Sequence, residues 1–256
     1  MRQVPPKPFF ALVGQGRVGR ALAAYLSARQ LPYRVITRSS LISQITPDQA
    51  PFSAALLAVS DSSIAEVARE FREIAGFKVP LVHFSGSVQV EGVHGFHPLF
   101  SFTTRELEPT EFEKIPFLLD PGEANLFREI FADFKNPFFE LSHKRDARYH
   151  ALCVLLGNLP LVIQDTCARH LEGEFGVPRD ACAPFLASLL KNFETAMASN
   201  PKSLVAGPIA RRDQSMTQLH LDALRGDAFL NDLYALFVKH SWPEFPAPRR
   251  SDEKHP

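Results

Sequence analysis

In the first half of the chain, short apolar runs alternate with stretches whose apolar positions recur every three or four residues; beyond about residue 142 the short runs cease. The runs predict strands over Phe9–Val13, Tyr33–Thr37, Ala54–Val59, Val79–Phe84, Ile115–Leu119 and Phe138–Leu141. The helical spacing predicts helices over Arg17–Arg29, Ser62–Ala75 and Glu123–Phe134. In the second of these, Ile64, Val67, Ala68 and Phe71 share one side, and Asp61 or Ser62 is a candidate N-cap. Strands that are apolar throughout, separated by amphipathic helices, imply a parallel sheet covered on both faces. The later chain reads as four helices. "SHKRDARYHALCVLLGNLPLVIQDTCARHLEGEFG" is one long helix, followed by "PRDACAPFLASLLKNFETAMAS", "DQSMTQLHLDALRG" with Asp213 as N-cap, and "DAFLNDLYALFVKHS" capped by Asp227. The pattern therefore predicts an α/β domain over residues 8–141, a smaller all-helical domain over 142–243, and a mobile tail over 244–256.

Composition narrows the class without changing this picture. A chain of 256 residues, 45% hydrophobic, is enough for two modest cores. Its 28 basic and 28 acidic residues balance, so neither a nucleic-acid stripe nor a polybasic membrane anchor is expected. Apolar runs such as "ALCVLLGNLPLVI" read as too interrupted to span a bilayer, and "MRQVPPKP" has no signal-peptide character. Cys153, Cys167 and Cys182 fall in helical patterns without metal-ligand spacing and read as buried thiols of a reducing cytoplasm. Most of the 22 phenylalanines read as core, with Phe100 and Phe102 as candidates to line a pocket.

The most specific local signal is "ALVGQGRVGRALAAYL". A strand runs into Gly14, Gly16 and Gly19 and then into a helix. In a dinucleotide-binding turn each glycine has its own task. Gly14 permits the sharp turn, Gly16 lets the backbone approach a pyrophosphate, and Gly19 lets the helix pack closely on the strand. The helix N-terminus offers free N–H groups to the anion. Gly14, Gln15, Gly16, Arg17, Val18 and Gly19, with Val59 and Ser60 at the end of the third strand, are the candidate cofactor contacts. NAD sites carry an acidic residue at the end of the second strand, whereas this chain has "TRSS" there. Arg38 with Ser39 would instead meet a 2′-phosphate, and Arg17 could add a second positive charge, so the expected cofactor is NADP.

Candidate chemistry follows the strand ends, where open parallel sheets collect their ligands. "HFSGS" offers Ser85 and Gly86, and "HGFHPLFSF" offers His94 and His97 as acid, base or substrate contact. The competing readings are ordinary turn chemistry for Ser85 and a structural hydrogen bond for His97. On the long helix, His150 and Asn158 lie two turns apart, about 12 Å along the axis. Pro160 cannot donate to the carbonyl of Leu156, so the helix should kink beside Asn158, which either satisfies that kink or serves the site. In "AGPIARRD", Arg211 and Arg212 could hold an anionic group.

Taken in order, "LVGQGRVGRAL", "AVSDSSIAEVA", "HFSGS", "HGFHPLFSF", "YHALCVLLGN" and "GPIARRD" resemble a group of bacterial proteins that join a Rossmann-like NADP-binding domain to a helical domain of unknown function. The group is similar to pyrroline-5-carboxylate reductase and, more distantly, to 6-phosphogluconate and 3-hydroxyisobutyrate dehydrogenases. The resemblance implies a 6-phosphogluconate-dehydrogenase-like helical domain, a site in the cleft between domains, and a homodimer packed through the helical halves. The hydroxyacid dehydrogenases use a lysine and an asparagine one turn apart on the first helix of the second domain; here that helix carries His150 and Asn158 and no lysine at that spacing. Gly157 stands where that family has serine, and Arg212 where its loop has glycine. The resulting expectation is a cytoplasmic NADP(H)-dependent oxidoreductase acting on a small polar C=O or C=N compound. His150 would be the proton donor, Asn158 and Ser85 orienting groups, and His97 a reserve acid–base residue. A protein that binds NADP only to sense it or to dock a partner is the alternative, and a flavin-binding pocket a third.

Overall fold

The computed structural model describes residues 8–37, 52–75, 79–199 and 206–245. Within them the chain divides into two compact units, residues 1–166 and 167–256. The first unit is built on a seven-stranded sheet of β1 (Phe10–Val13), β2 (Tyr33–Ile36), β3 (Ala54–Leu57), β4 (Leu81–His83), β5 (His94–Pro98), β6 (Phe117–Leu119) and β7 (Phe138–Glu140). The spatial order is β2-β1-β3-β4-β5-β6-β7. Its helices are α1 (Arg17–Ala28), α2 (Ile64–Ala75), α3 (Pro109–Phe112), α4 (Ala124–Ile130), α5 (Ala147–Gly157) and the first part of α6 (Leu159–Phe175). The α/β fold with its Rossmann-like sheet is thus as the sequence predicts.

Alternation along β1 shows how the sheet is covered. Phe10 and Leu12 point to a core shared with Leu22, Tyr25 and Leu26 of α1, while Ala11 and Val13 point to a second core with Val67, Ala68 and Phe71 of α2. Ile64, Val67, Ala68 and Phe71 are buried as expected. Asp61 and Ser63, however, bound a short 3-10 turn ahead of α2, and Ser60 takes its N-cap position with no side-chain bond to a capped amide; its hydroxyl pairs with that of Ser63 at 2.9 Å instead. Phenylalanine fills the first core: Phe96, Phe117, Phe127 and Phe131 meet ring to ring, and Tyr25 stacks on Phe112 at 4.4 Å.

Three expectations need correction. The stretch "HGFHP", which the sequence places beyond the strand ends as candidate site chemistry, pairs with β4 and β6 as the fifth strand, β5. The sheet is also not wholly parallel: β5 and β6 run antiparallel. Between them lies only the four-residue α3, too short a helix to carry the chain back across the sheet. A crossover helix returns in α4, and β6 and β7 are parallel again. Finally, the long helix is divided at Asn158, the predicted kink, into α5 and α6. Together Ala147–Phe175 make a 29-residue helical stretch, long and apolar enough by composition to cross a membrane, contrary to the expectation of too many interruptions.

The described part of the second unit is helical: the rest of α6, then α7 (Cys182–Ser199), α8 (Gly207–Ala210), α9 (Gln214–Ala223) and α10 (Ala228–Ser241). Asp213 caps α9 through the amide of Met216 at 3.0 Å, and Asp227 caps α10 through that of Leu230 at 2.9 Å, as predicted. The cysteines are less sheltered than expected, with Cys167 exposed and Cys153 and Cys182 half-buried. All but Glu244 and Phe245 of the expected tail lies outside the described residues.

Candidate functional site

The glycine turn takes the shape its sequence requires. Gly14 has φ +102°, and a Cβ there would collide with the carbonyl of Ala58 on the neighbouring strand end. A Cβ on Gly19 would collide with the carbonyl of Gly14, so that glycine sets how closely α1 lies on β1. Gly16 differs: a Cβ there would come no nearer than 3.8 Å to Ala58, because the residue faces open space. That space is a cavity of about 550 Å³ bounded by Gly14, Gln15, Gly16, Arg17, Val18, Val59 and Ser60. Gly16 is also the N-cap of α1, whose first-turn N–H groups lack helical partners. An open glycine, a helix N-terminus and an exposed arginine form a cradle that fits a dinucleotide's diphosphate. Arg38 and Ser39, the expected 2′-phosphate contacts, lie outside the described residues.

A second cavity, of about 620 Å³, shares Arg17 and Val18 with the first. His97, His150 and Asn158 line it, together with Cys153, Ser101, Phe100 and Phe102. His97, from the strand end, is thereby brought to the same cavity as His150 and Asn158 of the later helix, all within the first unit. Phe100 and Phe102 contact each other edge to face at 5.0 Å and form the apolar side, so the pocket reading holds for them. Ser85 is not among the lining residues. It is buried, and its hydroxyl accepts from the amides of Ser87 and Val88, which makes it the organiser of its own turn. His94 begins β5, at the strand end opposite His97, and pairs with Glu123 at 2.9 Å.

Sequence reasoning missed what holds this wall together. The Arg145 side chain is fully buried just ahead of α5. Its Nε donates to Asp120 Oδ1 at 3.0 Å and its Nη2 to Oδ2 at 3.1 Å. The same guanidinium donates to the carbonyls of Ser85 at 2.7 Å and Gly95 at 2.9 Å. One cation thus ties the loop after β4, the body of β5 and the end of β6 to the helix that carries His150. Gly95 leaves the room for it, since a Cβ there would overlap the guanidinium. Burial disfavours the charge on Asp120, but the hydrogen bonds from Arg145 and Gln89 outweigh it and hold the carboxyl below its ordinary range.

His97 lies at the end of β5 with Nδ1 2.8 Å from the Tyr149 hydroxyl. Its ring stands edge-on to that of His150, centroids 6.2 Å apart. Gly86 fits between strand and histidines: a Cβ there would lie 2.7 Å from Cδ2 of His150 and 3.1 Å from Nε2 of His97. Burial first, and then the Arg145 cation, lower the pKa of His97 to about 4. His83, buried one strand away, is lowered to about 4 by the same two causes. Tyr149 is raised above the ordinary tyrosine range by burial and by its contact with Cys153. The arrangement can bind an anion at the turn and present polar groups to a small molecule beside it.

Comparison with known proteins agrees with this architecture. Residues 118–241 match the family described as a domain of unknown function, DUF2520; the matched range begins in β6 and includes β7 as well as the later helices. No curated protein matches the chain. Among solved structures, a Bacteroides fragilis protein provisionally named an NADP oxidoreductase has a TM-score of 0.71 at 19% identity, covering 92% of this chain and 98% of that one. Pyrroline carboxylate reductase from Plasmodium falciparum, with NADP bound, has a TM-score of 0.57 at 13% identity over 91% and 96%. A reductive aminase from Aspergillus terreus, in complex with NADPH4, cyclohexanone and allyl amine, has a TM-score of 0.57 at 11% identity over 95% and 96%. At these identities the likeness is one of fold.

Proposed function

We propose that this protein is an NADP(H)-dependent oxidoreductase that transfers hydride between the nicotinamide and a small polar substrate bearing C=O or C=N. The observation that carries the reading is that two cavities adjoin: Arg17 and Val18 line both the space over the glycine turn and the one lined by His97, His150 and Asn158. A dinucleotide whose diphosphate rests on Gly14–Gly19 has polar side chains within reach of its reactive end. Val59 and Ser60 flank it, and Arg38 with Ser39 receives the 2′-phosphate. The bound cofactor supplies the hydride. The chain's own residues place the substrate against Phe100 and Phe102, orient it through Asn158, and deliver the proton from His150. NADP-related names among the solved structures of the same fold support the choice of chemistry.

We also assign the protein to the cytoplasm as a homodimer through its helical half. The support is the apolar surface left exposed on its helices, including Leu156 and Leu161 and, in the second unit, Leu190 and Phe193.

Calorimetry with NADPH and NADH, followed by NADPH oxidation over a panel of keto acids, aldehydes and imines, tests the activity. NADPH should bind more tightly than NADH, Arg38→Ala should erase the difference, and at least one panel member should turn over. Heat from neither coenzyme overturns the reading. Tight NADPH binding with no turnover across the panel gives the protein to the sensor alternative instead.

A further inference from the structure

We infer that the substrate of the proposed reaction carries an oxyanion, a carboxylate or a phosphate, set apart from its reacting carbon, and that Arg17 and Arg20 of α1 hold it against the loop after β5. The role of substrate rests on the oxidoreductase reading; the anion site does not.

A third cavity, of about 220 Å³, lies between α1 and the loop that follows β5. Arg17 and Arg20 line it from the helix, and Ser101, Thr103 and Thr104 from the loop. Arg17 is the one residue that lines all three cavities. Phe100, Ser101 and Phe102 line both this cavity and the one that holds His97, His150 and Asn158. Arg20 lines the third cavity alone. A molecule that reacts beside His150 therefore meets Arg20 only with a group at some remove from the reacting carbon.

The two arginines stand where the helix itself gains nothing from them. They are three positions apart at its start, so like charges share one face, and the positive end of the helix dipole adds to their repulsion. α1 has no acidic residue to offset them. Arg17 makes no hydrogen bond or ion pair among the described residues. Arg20 donates from Nη1 to the Gln15 carbonyl at 3.2 Å, which draws its guanidinium back toward the glycine turn. Its Nε and Nη2 have no partner among the described residues. An oxyanion shared by the two guanidinium groups turns this repulsion into attraction, and their planar forks match carboxylate and phosphate geometry. The loop adds hydroxyl donors. Thr103 Oγ1 accepts from the Arg105 amide at 3.2 Å, so its own hydrogen remains to donate. Arg105 also lines the cavity but is committed to Glu111, to which its Nη1 donates at 2.9 Å. Glu106 is the one acidic residue of the lining, against two cations without a carboxylate partner.

Calorimetry on the NADPH-loaded protein at low salt, with glutarate, inorganic phosphate and uncharged glutaramide as probes, is the direct test. The bound coenzyme keeps the probes off the glycine turn. Glutarate or phosphate should bind at millimolar concentration and glutaramide should not; the tighter of the two anions identifies the group. Arg20→Gln should weaken that binding by roughly tenfold or more, the worth of charge-assisted hydrogen bonds, with NADPH affinity unchanged. Arg20→Lys, which keeps the charge, should lose less. Binding of neither anion, or binding that Arg20→Gln leaves intact, overturns the inference. In NADPH oxidation, succinic semialdehyde should exceed butanal, or glycolaldehyde phosphate exceed glycolaldehyde, by about tenfold in kcat/KM. Arg20→Gln should erase that preference through KM with kcat nearly unchanged. Equal turnover of charged and uncharged partners overturns the substrate role. Absence of NADPH binding would strike the oxidoreductase reading; the same anion titrations on the free protein, compared between wild type and Arg20→Gln, would still decide the site.

Discussion

At the scale of single residues, burial keeps two imidazoles neutral, His97 beside the candidate site and His83 one strand away. His83 and His97 are the cases with a thermodynamic signature. Both have folded-state pKa values lowered to about 4, against roughly 6.5 for a free imidazole. Above pH 6.5 both are neutral whether folded or unfolded, and their environment costs nothing. Between pH 6.5 and 4 the unfolded chain takes up protons that the folded one refuses, so stability falls as pH falls. Each histidine should contribute about 1.4 kcal/mol of loss per pH unit within that window. Urea midpoints at pH 7.5, 6.0 and 5.0 should therefore drop steadily, and His83→Gln should flatten part of the slope. Midpoints that hold constant over this range would contradict the lowered values. The sequence displays His97, His150 and Asn158 as polar residues at a strand end and on an apolar helix. It does not display the Arg145–Asp120 pair. Its members lie 25 positions apart, and nothing in "KRDAR" marks one arginine as the buried one. Only the register of β4, β5 and β6 brings their carbonyls around that guanidinium.

Elements were legible where one local rule determines them. The turn from β1 to α1 is such a case, because three glycines at fixed spacing leave the backbone few alternatives. Their steric roles also differ in a testable way. A methyl group at Gly19 would run into the carbonyl of Gly14, which is backbone and cannot swing aside. Gly19→Ala should therefore push α1 off β1, lower stability by about 1–3 kcal/mol and weaken NADPH binding at least tenfold. Gly16→Ala meets only the Ala58 carbonyl, at an ordinary van der Waals separation of 3.8 Å. It should keep wild-type stability and lose only the nucleotide, whose approach the methyl group obstructs. Thermal melts alongside NADPH titrations separate the two, and equal melting losses in both variants would refute the assignment. The antiparallel β6 was not legible, because periodicity identifies a strand but not its direction. Direction depends on whether the preceding connection holds a helix long enough for a crossover. β5 was hidden for a related reason: its five residues satisfy sheet hydrogen bonds through a sequence whose composition belongs to turns.

At the scale of the whole molecule, the helical half presents a physical problem to which a second copy of the chain is our answer. Leu152, Leu155, Leu156 and Leu161 on α5 and α6 are each more than half exposed. In the second unit Phe175, Phe185, Leu190, Met197 and Leu236 are exposed to a similar degree. A large contiguous apolar patch is what a soluble monomer ordinarily keeps from water. Burying it is worth roughly 25 cal/mol per Å² of apolar area before the costs of association. Membrane insertion would also remove it from water, and Ala147–Phe175 has the length. That same helical stretch, however, contributes His150 and Asn158 to the second cavity and carries Gln164, Asp165 and Arg169 along its course. Light scattering after gel filtration should therefore give twice the chain mass of 28.6 kDa without detergent. Leu190→Glu with Phe193→Glu should shift that mass to the monomer or drive the protein out of solution, and Lys191→Glu, which reverses the charge at an already charged exposed position, should do neither. A stable, soluble monomer in the wild-type protein would show that these side chains are not an interface. Recovery only with lipid vesicles would give the surface to a membrane.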